Sequence, residues 1–523
     1  MSKETLVATK QGIKRMTSQA ISFPVALFVV VVMIFIGLRF WKITSFSLWG
    51  GEAYVMIGVK QDWSDMFSYV IADIVHPPLF YILLKLWITL GGASLLWLKL
   101  LPVLSSIALV IPFYLLCREL NFRWTEMSLA LFLVAVNGYL IFYAQELRMY
   151  SLFTFLTMCS FWLFMRFFNS IYGANGELLL LTLVNLLAIY THYFGWLVVG
   201  VEFLFLLIWQ RRKVPVFGLG VVTLLLAFSP WAYQVIREAQ SIGGLERNLV
   251  WIPKPDLIDI LNFYSSLDGP LGSRYLKSVG LLLFGLPVLF WTWRIVRSDF
   301  RSRSSESVAY SWLVLLSFLP VIIIFLVSQR LAQAVWIDRY FIFIAVPYLM
   351  LISAAAFRLK PEWMRYTWIA LIVLWSLVAG LNDLRTNRIA WGSPQLGSRV
   401  RWDDLAQQMI AAENNSSGPI SVYTLTVVSN GLRTGDWATS TSLDYFLDSY
   451  GEDRFQFAYT RDVKALLHRS PQDDHFWIAF FELGRWSQAS PALTLKENGY
   501  RTGDPIIFGN LDDRVVLLPV WRK

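Results

Sequence analysis

Cysteine is nearly absent from this chain, with two in 523 residues, and charge is scarce, at 15% of residues. Cys117 and Cys159 both lie inside apolar runs, so no disulfide scaffold organises the fold. No internal repeat or low-complexity tract is evident, and the composition excludes disordered and collagen-like chains. A soluble protein carries about 25% charged and roughly 45–50% apolar residues. Here 56% of residues are hydrophobic and 16% aromatic. Surface-to-volume scaling gives a soluble protein of this length no way to keep so much apolar surface from water. The remaining class is a polytopic membrane protein.

The formal charge of +9 comes from short Lys and Arg clusters between apolar runs. Spread in this way, the basic residues set orientation in a membrane and meet anionic lipid, and they do not mark a nucleic-acid partner. The first apolar run, Ile21–Phe40, follows a polar start with Lys3, Lys10, Lys14 and Arg15. At about 20 residues it is long enough to span, and Phe40, Trp41 and Lys42 follow it where a cleavage site would need small residues. It reads as an uncleaved first span, with residues 1–20 cytoplasmic.

Further apolar runs lie at Pro78–Leu90, Leu95–Cys117, Met127–Tyr143, Met149–Phe168, Leu178–Tyr190, Tyr193–Trp209, Val214–Trp231, Ser278–Val296, Tyr310–Val327, Tyr340–Phe357 and Tyr366–Leu381. The basic clusters Arg118/Arg123, Arg211/Arg212/Lys213, Arg294/Arg297/Arg301/Arg303 and Arg358/Lys360/Arg365 share the N-terminal side only if Pro78–Leu90 does not cross. That run is short and opens on two prolines, as suits a helix lying in the interface. The expected fold is an all-α bundle of about eleven transmembrane helices plus interfacial helices, over residues 21–382. Its outer loops would be 42–77 and 232–277. From residue 383 the composition becomes that of a soluble, extracytoplasmic α/β domain, with a helix at Arg399–Ala412 and strands at Ile420–Val428, Phe476–Phe481 and Val515–Val520.

Ionisable groups at the membrane boundary that gather on one face mark a site. Three outer segments hold them: Leu48-Trp-Gly-Gly-Glu-Ala-Tyr54, with Glu52; Asp73-Ile-Val-His-Pro-Pro-Leu-Phe-Tyr81, with Asp73 and His76; and Tyr143-Ala-Gln-Glu-Leu-Arg-Met-Tyr150, with Gln145, Glu146, Arg148 and Tyr150. Taken singly, each has a plainer reading: a turn carboxylate, a helix cap beside an interfacial His, and a Glu146–Arg148 pair. Their convergence on one face favours a pocket. Asp73 and His76 are too few for a divalent cation by themselves, and Glu52 or Glu146 would have to complete the set.

In order and spacing these motifs resemble the C-type glycosyltransferases, in particular the branch of protein O-mannosyltransferases and aminoarabinose transferases. The family pattern is W-x-D-E-A, D-x-H-P-P-L-Y-Y and Q-E-x-R-x-Y-S-L. Thr191-His-Tyr-Phe194 and Asp338-Arg-Tyr340 fit the same resemblance. It covers roughly residues 20–380 and implies transfer of a sugar from a polyprenyl-phosphate donor to an acceptor hydroxyl, on a glycan, lipid or protein, outside a bacterial plasma membrane.

A carboxylate would take the hydroxyl proton, with Asp73, Glu52 and Glu146 as candidates. Arg148, Lys85, His192 and Arg339 would meet the phosphate, with His76, Gln145, Tyr150, Tyr193 and Tyr340 around them. The chain departs from the pattern in that Asp73 precedes His76 by three residues instead of two. It departs also at Gly51, which stands where the family has its catalytic Asp. Either Glu52 is then the base, or the base is missing and Gly51→Asp would raise turnover. A lipid-binding, non-catalytic relative is the rival reading, and a transporter a more distant one.

Overall fold

The computed structural model describes residues 22–522 apart from 171–174, 242–251, 270–273, 299–303, 387–399, 415–417, 426, 430–431, 435, 461, 469–472, 483–490 and 511–512. Eight helices among the described residues are long and apolar enough to cross a membrane. A bent pair, Trp124–Val136 with Gly138–Gln145, brings the number to nine. Asn175–Thr191 and Gly195–Trp209, of 17 and 15 residues, occupy the two remaining expected spans. Leu79–Gly91 is a separate helix of 13 residues, in keeping with an interfacial role. The protein is an all-α integral membrane bundle with a small β-containing C-terminal domain.

The bend has a local cause. Asn137 interrupts an otherwise apolar run, and its side-chain oxygen accepts from the Leu140 amide at 3.0 Å, starting a new helix. The two axes differ by 62°. The second piece, Gly138–Gln145, thereby carries Glu146 and Arg148 to the end of the bundle where residues 49–52 meet them.

The basic turns meet at the other end. Arg358 pairs with Glu306 at 2.9 Å and with Glu126 at 3.4 Å, and Arg294 pairs with Glu306. Lys213 donates to Phe168 O at 3.0 Å, Asn169 to Glu119 at 3.1 Å, and Asn121 to Ser305 at 2.9 Å. Arg301 and Arg303 lie outside the described residues.

The segment 42–77, expected as a loop, is more ordered than that. It forms two helices, Gly50–Lys60 and Trp63–Asp73. The helix from Val214 continues past Trp231 to Ser241, and the segment after it contains another, Leu257–Asp268.

In the C-terminal domain, Ile420–Leu425 lies between parallel strands Phe455–Thr460 and His475–Glu482. Asp513–Arg522 then adds antiparallel to His475–Glu482, and Tyr500–Thr502 and Ile506–Asn510 pair with it. Trp402–Ala412 is the expected helix. The domain sits on the Gly50–Lys60 helix, where Lys60 donates to Ser449 Oγ at 3.2 Å and lies over the Tyr445 ring.

Candidate active site

Residues 48–54, 73–81 and 143–150 are brought into contact, and their bonding differs in detail from the simple pairs read in the sequence. Glu52, buried at 2% exposure, is fully engaged. One carboxylate oxygen turns back to accept the Trp49 amide at 3.1 Å, and the other accepts the Leu147 amide at 2.6 Å. Lys99 lies 3.8 Å from the second oxygen. Glu52 therefore closes the start of its own helix and ties it to the 145–149 turn. Each of its oxygens thus accepts one backbone amide.

Glu146 and Arg148 do not pair with each other. Arg148 donates to Gly51 O at 2.8 Å and to His76 Nε2 at 2.9 Å. An arginine can only donate, so Nε2 accepts, and the His76 proton sits on Nδ1, where it is given to Asp73. Burial holds the His76 imidazole below its ordinary value, against the pull of Asp73. A neutral histidine with both nitrogens committed has no lone pair for a cation, so Asp73 and His76 do not fit a divalent ion. Among the described residues no group of three or more His, Cys, Asp or Glu side chains is arranged to hold one.

Glu146 has the opposite character to Glu52. It is 3% exposed; its Oε1 accepts from Trp49 Nε1 at 3.2 Å, and its Oε2 has no partner among the described residues. Burial, and next the charge of Glu52, push its carboxyl up to about 7, against the pull of Arg148 and Arg339. Arg148 interacts electrostatically with Tyr150, Tyr81, Glu146 and Arg339. The hydroxyls of Tyr81 and Tyr150 and the Nε of Arg339 are likewise buried without a partner. Unpaired polar atoms are costly to bury, and the groups that carry these four all lie within electrostatic reach of Arg148.

Arg339 reaches this cluster of groups from a distant part of the sequence. Its segment is fixed by Tyr139, which donates to Asp338 O at 2.9 Å, and by Trp336, whose indole donates to Asp338 at 3.0 Å. The guanidinium lies 5.7 Å from the centroid of Tyr340, whose ring meets His192 at 4.7 Å. His192 Nδ1 accepts from the Phe194 amide at 3.1 Å. Burial, with the nearby His76, Arg148 and Arg339, holds this imidazole well below its ordinary value, so His192 is neutral with its proton on Nε2.

Three of the residues expected at the donor donate to backbone carbonyls. Lys85 donates to Val59 O at 2.9 Å and to Gln61 O, closing the end of the Gly50–Lys60 helix. Gln145 donates to Arg39 O and Trp41 O at 3.0 and 2.8 Å, fastening its turn to the first span. Tyr193 donates to Ile74 O at 3.2 Å and accepts from Trp231 at 3.1 Å.

Gly51 is not an empty place. A Cβ there would stand 2.7 Å from the Trp49 ring, so the indole covers the position that resemblance gives to an acid. In the sequence Trp49 and Tyr81 stand inside the motifs without a role of their own, and Lys99 stands outside them. A lone Lys near the end of an apolar span was the available signal for Lys99.

No protein-family model matches the sequence, and no curated relative matches it. Solved structures do. ArnT from Cupriavidus metallidurans bound to undecaprenyl phosphate gives a TM-score of 0.56 at 13% identity, covering 95% of this chain and 97% of that one. Its apo state gives 0.54 at 14%, with the same coverage. The Archaeoglobus fulgidus oligosaccharyltransferase in its apo form gives 0.50 at 13%, over 92% of this chain and 69% of that one. At such identities the likeness is one of fold. Over nearly its whole length, this chain shares the fold of the ArnT structure.

Proposed function

We propose that this protein transfers a sugar from a polyprenyl-phosphate donor to an acceptor hydroxyl, with Glu146 as the base. The observation that carries the reading is the buried, unpartnered Oε2 of Glu146 within electrostatic reach of Arg148 and Arg339. The two arginines neutralise the donor phosphate, and the neutral His192 offers a further N–H. The acceptor oxygen attacks the anomeric carbon and gives its proton to Glu146 Oε2. The bond from that carbon to the phosphate oxygen breaks, and its electron pair leaves with the polyprenyl phosphate. A carboxyl that titrates at about 7 is matched to accepting a proton near neutral pH.

Supporting the donor class, the ArnT structure of the same fold is bound to undecaprenyl phosphate. By the basic-cluster argument, the pocket faces outward and the N-terminus lies inside. The acceptor is a hydroxyl of a glycan, lipid or protein.

The purified protein, reconstituted in membranes with a panel of polyprenyl-phosphate sugars, should turn over at least one of them, releasing polyprenyl phosphate. A second reading, binding without transfer, is favoured by the Trp49 ring over Gly51. Saturable binding of these donors with no release across the panel would select it.

A further inference from the structure

Trp49 belongs to two structures at once. Its ring lies in the apolar core of the C-terminal domain, in one buried cluster with Trp402, Leu405, Leu443 and Leu447. Its indole N–H leaves that core and donates to Glu146 Oε1 at 3.2 Å. The segment is pinned to the domain just before the ring, where Ser47 Oγ donates to Val400 O at 3.1 Å and accepts from the Trp402 amide at 2.7 Å.

We propose that the C-terminal domain is a working part of the active site and acts through Trp49, a positioning residue for Glu146. The inference rests on the reading of Glu146 as the base. Among the described residues, Trp49 supplies the one hydrogen bond that the Glu146 carboxylate receives. That bond fixes which carboxylate oxygen is held and which is left for a ligand. The charged and titratable groups facing Glu146 are Glu52, Arg148 and Arg339, with Tyr143 from its own helix. These act through space, whereas Trp49 acts through a directed bond whose donor is anchored in another domain. A domain that lifted from the Gly50–Lys60 helix would carry the indole with it, and the carboxylate would lose its only donor. Seating of the domain and readiness of the base are therefore one event.

The test is an infrared titration of the Glu146 carboxyl in the whole protein in lipid nanodiscs, with Glu146→Gln identifying its band. The expected midpoint is about 7 in the parent. In Trp49→Phe, which keeps a ring and removes the N–H, it should rise by about one pH unit, the worth of one hydrogen bond to a charged group. In Ser47→Ala, which removes the two bonds that pin the segment beside the ring to the domain and leaves Trp49 intact, it should move the same way. Ser47→Ala carries the test alone if Trp49→Phe does not fold. An unmoved midpoint in either folded variant overturns the proposal. The readout involves no transfer, so it separates two failures. If the midpoint shifts as described but transfer survives Glu146→Gln, the base assignment alone is refuted.

Discussion

Glu52 and Glu146 stand in motifs of equal prominence, yet their surroundings give them different work. Glu52 receives two backbone amides and has Lys99 nearby, whereas Glu146 keeps one oxygen unpartnered. Glu52→Gln should therefore act chiefly on stability, lowering the thermal midpoint, because a charged acceptor of two buried amides becomes neutral. Gly51→Asp, which the sequence alone recommends as a rescue, should lower stability instead, since the new side chain meets the Trp49 ring at 2.7 Å. A gain in turnover from that variant would mean that the ring yields and that the missing-base reading was right. Arg148→Lys should reduce turnover along with donor binding. A lysine cannot hold Gly51 O and His76 together as the fork does. An unchanged rate would remove Arg148 from the site. The motifs were legible because ionisable residues are rare in such a chain. The bonding between them was not, because Glu52 meets Leu147 across 95 positions of sequence.

At the scale of elements, spans were legible because a bilayer demands long apolar runs. The break at Asn137 was not, since one polar residue in an apolar run reads equally as a capped break or a tolerated polar contact. The helices Gly50–Lys60 and Trp63–Asp73 read as loop in the sequence because their composition is mixed. The turn carrying His192 depends on a close approach at Gly195, where a Cβ would stand 2.8 Å from the Ile189 backbone nitrogen. Backbone cannot step aside as a side chain can. Gly195→Ala should cost about 1–3 kcal/mol and weaken donor binding, as read by thermal unfolding and by titration with polyprenyl phosphate. Unaltered stability would show that the turn tolerates the methyl.

For the whole molecule, the segregation of basic turns at one end and the pocket at the other was legible from charge placement. The docking of the C-terminal domain onto the first outer helix was not, because nothing in residues 47–60 marks them as partners of Val400 or Ser449. Orientation has a direct check. A cysteine replacing the exposed Ser64 should be labelled from outside intact cells, and one replacing the exposed Arg212 should not; the reverse pattern would invert the bundle.

The decisive measurement is the pH dependence of kcat/KM for transfer, in the parent and in Glu146→Gln. A base must be deprotonated to act, so the parent rate should climb with pH and level off above about 7, where the Glu146 carboxyl is ionised. Glu146→Gln should bind donor as the parent does, lose about 10²–10⁴-fold in rate and lack that limb. Transfer in Glu146→Gln at the parent rate, with the same limb, would show that another group takes the proton.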